Sequence, residues 1–338
     1  MGFSWSMFSA GKKRRGDRRC LGIELHQSQA FAVYADEKGV RLCYTPKNGE
    51  QGLAGLEQWI TDNALREVPV VISLDTLDYE LHLLEAPAVA DDELSAALQF
   101  RIRDIISRPV NEVLVQGFRL PGDAYRGRMD MAFAVVAERE AVRQLVSWCE
   151  RLELQLDLIT VAEISLLNLI AGYDPEGSIG VLRLDAREGM IYLCRDGALY
   201  LARHLHTGAD ALVSAVSPLS SEGSFALAPQ DQHHNRVAAV ALELQRSLDF
   251  FDSQQGMGMV SEIWVLHPDD MDISAALPEL EASINVAVRH FALPQLAPVD
   301  DQDVGHLTAS LATAYGGILA RNQFLTGNAS LAGREKAL

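Results

Sequence analysis

Short apolar runs separated by turn residues open the chain after a basic start. Leu21–Leu25, Ala30–Tyr34 and Val40–Tyr44 read as three strands, with Asp36-Glu37-Lys38-Gly39 as a hairpin connection. Leu53, Leu56, Trp59 and Ile60 recur at helical spacing. Pro69 opens a buried strand, Val70–Leu74, and Tyr79–Leu84 is another, ended by Pro87. The next helix takes Asp91 and Asp92 as cap and first-turn acids and carries one apolar stripe, Leu94, Leu98, Ile102, Ile105 and Ile106, up to Pro109. Strands Val113–Phe118 and Met131–Val136 flank a turn at Pro121–Arg128. A helix from Glu138 to about Leu152 follows, with Val142, Leu145, Val146 and Cys149 on one face. A strand Leu156–Val161 and an apolar helix Ala162–Ile170 end this half.

Gly172–Ser178 reads as a hinge, after which the opening pattern restarts. Gly180–Leu184, Met190–Arg195 and Ala198–Arg203 are three short strands, with Asp196-Gly197 turning the second hairpin. The repeat of a three-strand meander, with an acid after its first strand, is the main organisational signal. Ser214–Asn235 is polar and reads as a loop. A long helix over Arg236–Gln254, a buried strand Ile263–Leu266, a helix over about Ser274–Ile284, a strand Val286–Phe291 and a closing helix Thr308–Arg321 complete the chain. The expected organisation is a basic tail over 1–20, a first lobe over 21–175 with an inserted subdomain at about 69–152, a second lobe over 178–325, and a tail over 326–338.

At 338 residues the chain is long enough for two cores. No apolar run reaches the roughly 18 residues of a membrane span, and the apolar-then-basic order of the N-terminus is the reverse of a secretory signal. Both features point to a cytoplasmic protein. Cys20, Cys43, Cys149 and Cys194 are scattered, which suits buried thiols better than disulfides or a zinc ribbon. The net charge is −17, yet Lys12, Lys13, Arg14, Arg15, Arg18 and Arg19 face only Asp17 within the first 20 residues. The rest of the chain is therefore still more acidic, which argues against nucleic-acid binding. The basic tail, with Phe3, Trp5, Met7 and Phe8, is read either as a membrane-surface anchor or as a solvated tail.

Four stretches carry a resemblance. They are Val70–Leu74 through Pro87, Asp92–Leu94 through Pro109–Val113, Ala134–Ala137 with Val142, Leu145 and Leu158–Leu167, and Leu244-Gln245-Arg246-Ser247-Leu248-Asp249-Phe250-Phe251. Through them the chain, from about Leu21 to Arg321, resembles the PilM/MshI family of actin-like type IV pilus assembly proteins, related to the cytoplasmic domain of GspL. Because of the departures given below, the resemblance points within that family to the MshI branch. The resemblance implies an α/β, actin-like (ribonuclease H-like) fold of two lobes with an inserted subdomain, and a location under an inner-membrane platform.

The resemblance also implies where MgATP would bind: two hairpins, each with an acid and a glycine-rich turn whose backbone N–H groups approach the phosphates. The matching residues are Glu24 (in place of Asp) and Ser28 in the first hairpin, Asp185 in the second, Gly208 after Thr207, and Glu243 and Arg246 on the long helix. His26, Gln27, Arg187 and Glu188 stand where small turn residues are usual, and Ile263–Leu266 runs into His267-Pro268-Asp269-Asp270 without glycine. The site is read as degenerate. No cofactor is expected, ATP with Mg being the alternative, and no catalytic residue is assigned. His204 and His206 would share one face of a strand as a metal pair, but no third ligand is near in sequence, and no metal is expected.

The implied function is therefore a scaffold. The implied partner is the cytoplasmic N-terminal tail of a PilN/MshJ-like inner-membrane protein, with pilus motor or platform proteins as further contacts. The tail would lie in a groove between the first lobe's sheet and the inserted subdomain. Leu94, Leu98, Ile102 and Ile105 are the candidate floor of that groove, the alternative being that they pack on their own sheet. Addition of the tail to a sheet edge is a second mode.

Overall fold

The computed structural model describes residues 18–46, 52–74, 76–171, 177–213, 229–293 and 308–326. The expected tails, the centre of the hinge and most of the expected Ser/Pro loop lie outside the described residues. The chain divides into two units. One takes the described residues of Met1–Asp174 and of Leu293–Leu338, the other those of Pro175–Ala292.

In the first unit, β1 (Cys20–His26), β2 (Gln29–Asp36) and β3 (Gly39–Tyr44) form an antiparallel meander. The Asp36 carboxylate accepts the Lys38 N–H at 2.8 Å in the β2–β3 turn, and Gly39 follows at φ 124°. The helix α1 (Ala54–Asp62) buries Leu56 and Ile60. β4 (Pro69–Ser73) then pairs in parallel with β1. All five residues of β4 are buried, as a parallel strand covered on both faces requires.

A three-stranded antiparallel sheet follows, in the order β5 (Tyr79–Glu85), β7 (Met131–Glu138), β6 (Val113–Arg119). The helix α2 (Asp91–Ile102) lies across one face of it. The inserted subdomain is thus narrower than 69–152, because β4 belongs to the main sheet. Its helix is also shorter than its apolar stripe. α2 ends at Ile102, so Ile105 and Ile106 lie beyond it. Asp91 and Asp92 do not cap it; Ala90 is the cap residue, without a side-chain hydrogen bond. The acids act from the first turn instead, and Arg119 Nε donates to Asp91 at 2.9 Å. The helix α3 (Arg139–Arg151) leads back to β8 (Gln155–Thr160), the fifth strand of the main sheet and parallel to β4. On α3 the buried face includes Trp148, whereas Val146 is half-buried. The helix α4 (Ala162–Ala171) is buried from Ala162 through Ile170.

The second unit repeats the first. β9 (Ser178–Leu184), β10 (Gly189–Arg195) and β11 (Ala198–Leu205) form the meander, and Asp196 (φ 50°) and Gly197 (φ 74°) make a two-residue type I′ turn. The helix α5 (Pro229–Phe250) begins inside the stretch expected as a loop; a polar first turn has no apolar period to announce it. A π-type turn, Phe251–Gln255, ends it at Gly256 in the left-handed region. β12 (Glu262–Leu266), the short helix α6 (Leu277–Ile284) and β13 (Ala287–His290) complete the unit. The two five-stranded sheets have matching orders, β3-β2-β1-β4-β8 and β11-β10-β9-β12-β13, each antiparallel for three strands and parallel for the last two.

The last helix corrects the expected boundary of the second lobe at 325. α7 (Ala312–Thr326) belongs to the first unit and packs on α4, β1 and β4. Gly316 permits this, because a methyl group there would stand 2.2 Å from the Ser165 carbonyl oxygen. Arg321, fully buried, donates from Nε to Asp157 of β8 at 2.7 Å.

Candidate functional site

In the first unit, Glu24 is an internal residue of β1 and is 3% exposed. Its partner in the parallel ladder is Ser73 of β4, whose partner in turn is Thr160 of β8. Residues in register on adjacent strands face the same side, so Glu24, Ser73 and Thr160 form a buried polar row at the C-terminal ends of three parallel strands. Ser73 Oγ lies 2.7 Å from Ser165 Oγ of α4. Sequence reasoning missed Glu163 of the same helix. It too is 3% exposed, and the Tyr79 hydroxyl donates to it at 2.7 Å. The signal was a lone carboxylate within the apolar stretch Leu158–Ile170.

Ser28 sits at the tip of the β1–β2 hairpin. His26 pairs with Gln29, so the turn consists of Gln27 (φ 48°) and Ser28 (φ 63°) alone. A two-residue type I′ turn prefers Asn or Gly, and it has no slack to wrap a polyphosphate.

In the second unit, the β9–β10 hairpin has a four-residue loop, Asp185–Glu188, because Leu184 pairs with Gly189. The Asp185 N–H donates to the Glu188 carbonyl at 2.8 Å. The carbonyls of Asp185 and Ala186 accept from the Ala209 and Asp210 N–H groups at 2.7 and 2.9 Å. Gly208 therefore packs against this loop. A methyl group on it would stand 2.5 Å from both Asp185 O and Glu188 N. The chain's own backbone therefore fills the side of Gly208 on which a side chain would stand. Glu243 of α5 closes the same corner, accepting the His206 N–H at 2.9 Å and the Thr207 hydroxyl at 3.1 Å. Arg246, one turn further along α5, is exposed. The structure thus joins Asp185, Gly208 and Glu243 in one local network, with Arg246 outside it. These turns do not fit a phosphate-binding cradle.

His204 of β11 and His206, just past its end, have ring centroids 5.1 Å apart. His204 Nε2 is 3.0 Å from Glu188 Oε2. Among the described residues no cluster of three or more His, Cys, Asp or Glu could hold a metal ion.

The candidate partner residues separate into two kinds. Leu94, Leu98 and Ile102 are 2%, 0% and 0% exposed and pack with Ala86, Val113, Val115, Ala132, Ala134 and Val136. They fill the core between α2 and its own sheet and form no groove floor. Ile105 lies past the helix end and is half exposed. Beside it, Leu77, Asp78, Tyr79, Glu80, Ile106, Arg108, Val113, Val136 and Glu138 line a small open cleft. Arg108 and Glu138 form an ion pair across it at 2.7 Å, and Leu77 is largely exposed. Among the described residues, β5 and β6 each pair on one side only, with β7. Among the described residues no helix is long and apolar enough to cross a membrane.

No family model and no curated protein matches the sequence. Solved structures do. A chain of the PilM–PilN type IV pilus biogenesis complex is similar at a TM-score of 0.64 and 20% identity, over 91% of this chain and 99% of that one. The cytoplasmic domain of EpsL, an inner-membrane component of the type II secretion system of Vibrio cholerae, aligns over 89% of this chain and 94% of its own, at a TM-score of 0.46 and 12% identity. A Bacteroides thetaiotaomicron protein with actin-like ATPase fold and unknown function gives 0.47 and 11%, over 82% and 93%. With two five-stranded sheets of matching order and a three-stranded insertion in the first unit, the chain has the actin-like ATPase fold.

Proposed function

We propose that this chain is a cytoplasmic scaffold of a type IV pilus assembly platform, of the MSHA-like kind, with no ATPase activity of its own. It would bind the N-terminal cytoplasmic tail of a PilN/MshJ-like membrane protein at the inner-membrane surface. The observation that carries the reading is the fold likeness, over nearly the whole chain, to a chain of the PilM–PilN complex. The turns described above support a nucleotide-free role, since Asp185–Glu188 is filled by Gly208–Asp210.

The docking place we favour is the cleft beside β5. An extended tail gains main-chain hydrogen bonds on an open strand edge and side-chain pockets beside it. Leu77, Ile105 and Ile106 offer apolar contact, and the carboxylates of Asp78 and Glu80 suit a tail bearing Arg or Lys. The test is calorimetric titration of the full chain with a synthetic tail of the PilN-like protein encoded in the same genome. Saturable binding is expected, weakened at least about tenfold by Leu77→Asp. No binding of that tail sinks the reading.

A second reading is an ATP-dependent switch. The polar row Glu24, Ser73, Thr160 favours it, because it stands at the carboxyl ends of parallel strands, where ligands of open α/β sheets bind. Thermal unfolding with excess MgATP separates the two. A ligand at 100 times its dissociation constant adds about 2.7 kcal/mol, so a shift of several degrees favours the switch and none favours the plain scaffold.

A further inference from the structure

Three side chains, none of them among the candidate nucleotide or partner residues, form a directed chain of hydrogen bonds in the second unit. β12 and β13 are parallel neighbours, with Val265 opposite His290. His267, just past β12, and His290, the last residue of β13, therefore meet at the C-terminal ends of the strands. His267 Nε2 is 3.1 Å from His290 Nδ1. His290 Nε2 is 3.1 Å from the hydroxyl of Ser274. His267 Nδ1 is 2.9 Å from the carbonyl oxygen of Pro268.

These contacts fix the protons. A carbonyl only accepts, so His267 Nδ1 carries the hydrogen and, in a neutral ring, Nε2 is the acceptor. His290 Nδ1 must then donate to it, which leaves His290 Nε2 as an acceptor. The Ser274 hydroxyl is the group that donates there. With both rings neutral, no other arrangement satisfies all three contacts. Asp272 adds a carboxylate that accepts the Ser274 N–H at 3.0 Å and also a hydrogen bond from the Ser274 side chain, so the hydroxyl shares its hydrogen between Asp272 and His290.

We propose that Ser274 is an activated nucleophile for small activated carboxylic esters, with His290 as its general base and His267 as the positioning residue that sets the His290 tautomer. The geometry is that of a nucleophile, a base within reach and a third group orienting the base. It also lies at the carboxyl ends of parallel strands, where ligands of open α/β sheets bind. Ser274 and His290 are exposed, so a small ester reaches the hydroxyl without opening the core. Burial, then His267, hold the His290 imidazole below its ordinary 6.5, so it is the neutral base at pH 7. Asp272 opposes that shift and faces both rings. In the reaction, Ser274 Oγ adds to the ester carbonyl carbon and its proton passes to His290 Nε2. The C–O bond to the alcohol breaks and the alcohol leaves with that proton. Water, deprotonated by His290, then releases the acid from the serine.

The test uses the full chain and a fluorophosphonate probe, which bonds to an activated serine through phosphorus and expels fluoride. Peptide mapping of the labelled wild-type protein is expected to place the label on Ser274. Labelling and hydrolysis of p-nitrophenyl acetate should both be lost in Ser274→Ala. Both should fall at least about tenfold in His290→Gln, since a general base contributes about 10²–10⁴-fold. In His267→Phe the rate falls, and His267→Gln, whose side-chain oxygen can accept the His290 Nδ1–H, restores it in part, a recovery that loss of packing alone would not allow. A label elsewhere, no label at all, or wild-type reactivity in His290→Gln overturns the proposal. The mapping on unaltered protein keeps the test decisive even if a variant folds poorly.

Discussion

At Gly208 the two accounts of the β9–β10 corner predict different things. If the glycine served a phosphate, Gly208→Ala would leave the nucleotide-free protein untouched. With its missing side chain 2.5 Å from two backbone atoms of the neighbouring loop, the same change should lower stability by about 1–3 kcal/mol without any nucleotide. Chemical denaturation of the variant in nucleotide-free buffer checks this. The cysteines give a second residue-scale prediction. Burial pushes the Cys43 thiol up to about 11 and those of Cys149 and Cys194 up to about 12. The thiolate is the reactive form, so iodoacetamide at pH 8 should leave Cys149 and Cys194 unmodified until the protein unfolds. That the thiols are buried could be read from their apolar neighbours in sequence. Which backbone Gly208 approaches could not, because its partners lie some 20 residues upstream.

The elements were largely legible, since period-two and period-3.6 patterns report which face is covered. Where the pattern failed, it failed at ends. The stripe Leu94, Leu98, Ile102 continues in spacing to Ile105, but the helix stops at Ile102, and the exposed Ile105 left no mark in the sequence. Function follows that break. Leu98→Ala should cost about 2–5 kcal/mol through the cavity it leaves between α2 and the β5-β7-β6 sheet. Ile105→Asp should leave unfolding unchanged and weaken only tail binding. A denaturation curve and a titration on each variant separate core from contact. Equal destabilisation by both would place Ile105 in the core after all. Glu163 was hidden for a related reason: an apolar helix pattern over Ala162–Ile170 gives no sign that one carboxylate in it is buried against a tyrosine.

Across the whole chain, the duplicated meander was visible because both copies carry the same local signals. The return of α7 to the first unit was not, since contact between segments some 150 residues apart has no local signature. It is held by Arg321, fully buried, on Asp157. Removing one partner of a buried pair leaves an uncompensated charge, so Asp157→Ala should cost about 3–5 kcal/mol. The loss should fall on the first unit. Hydrogen exchange would show faster exchange in β1, β4, β8 and α4, with β9–β13 unchanged.

Such a return path has a consequence for the order of events during synthesis. The first unit is begun first and finished last, because its closing helix leaves the ribosome after every residue of the second unit. A nascent chain stalled once Ala292 has cleared the exit tunnel should carry a folded second unit beside a first unit whose α4 and β1 still expose the surface meant for α7. Pulsed proteolysis of chains stalled before and after residue 326 would show the first unit gaining protection in one late step, and through that interval chaperones would meet an unfinished N-terminal sheet.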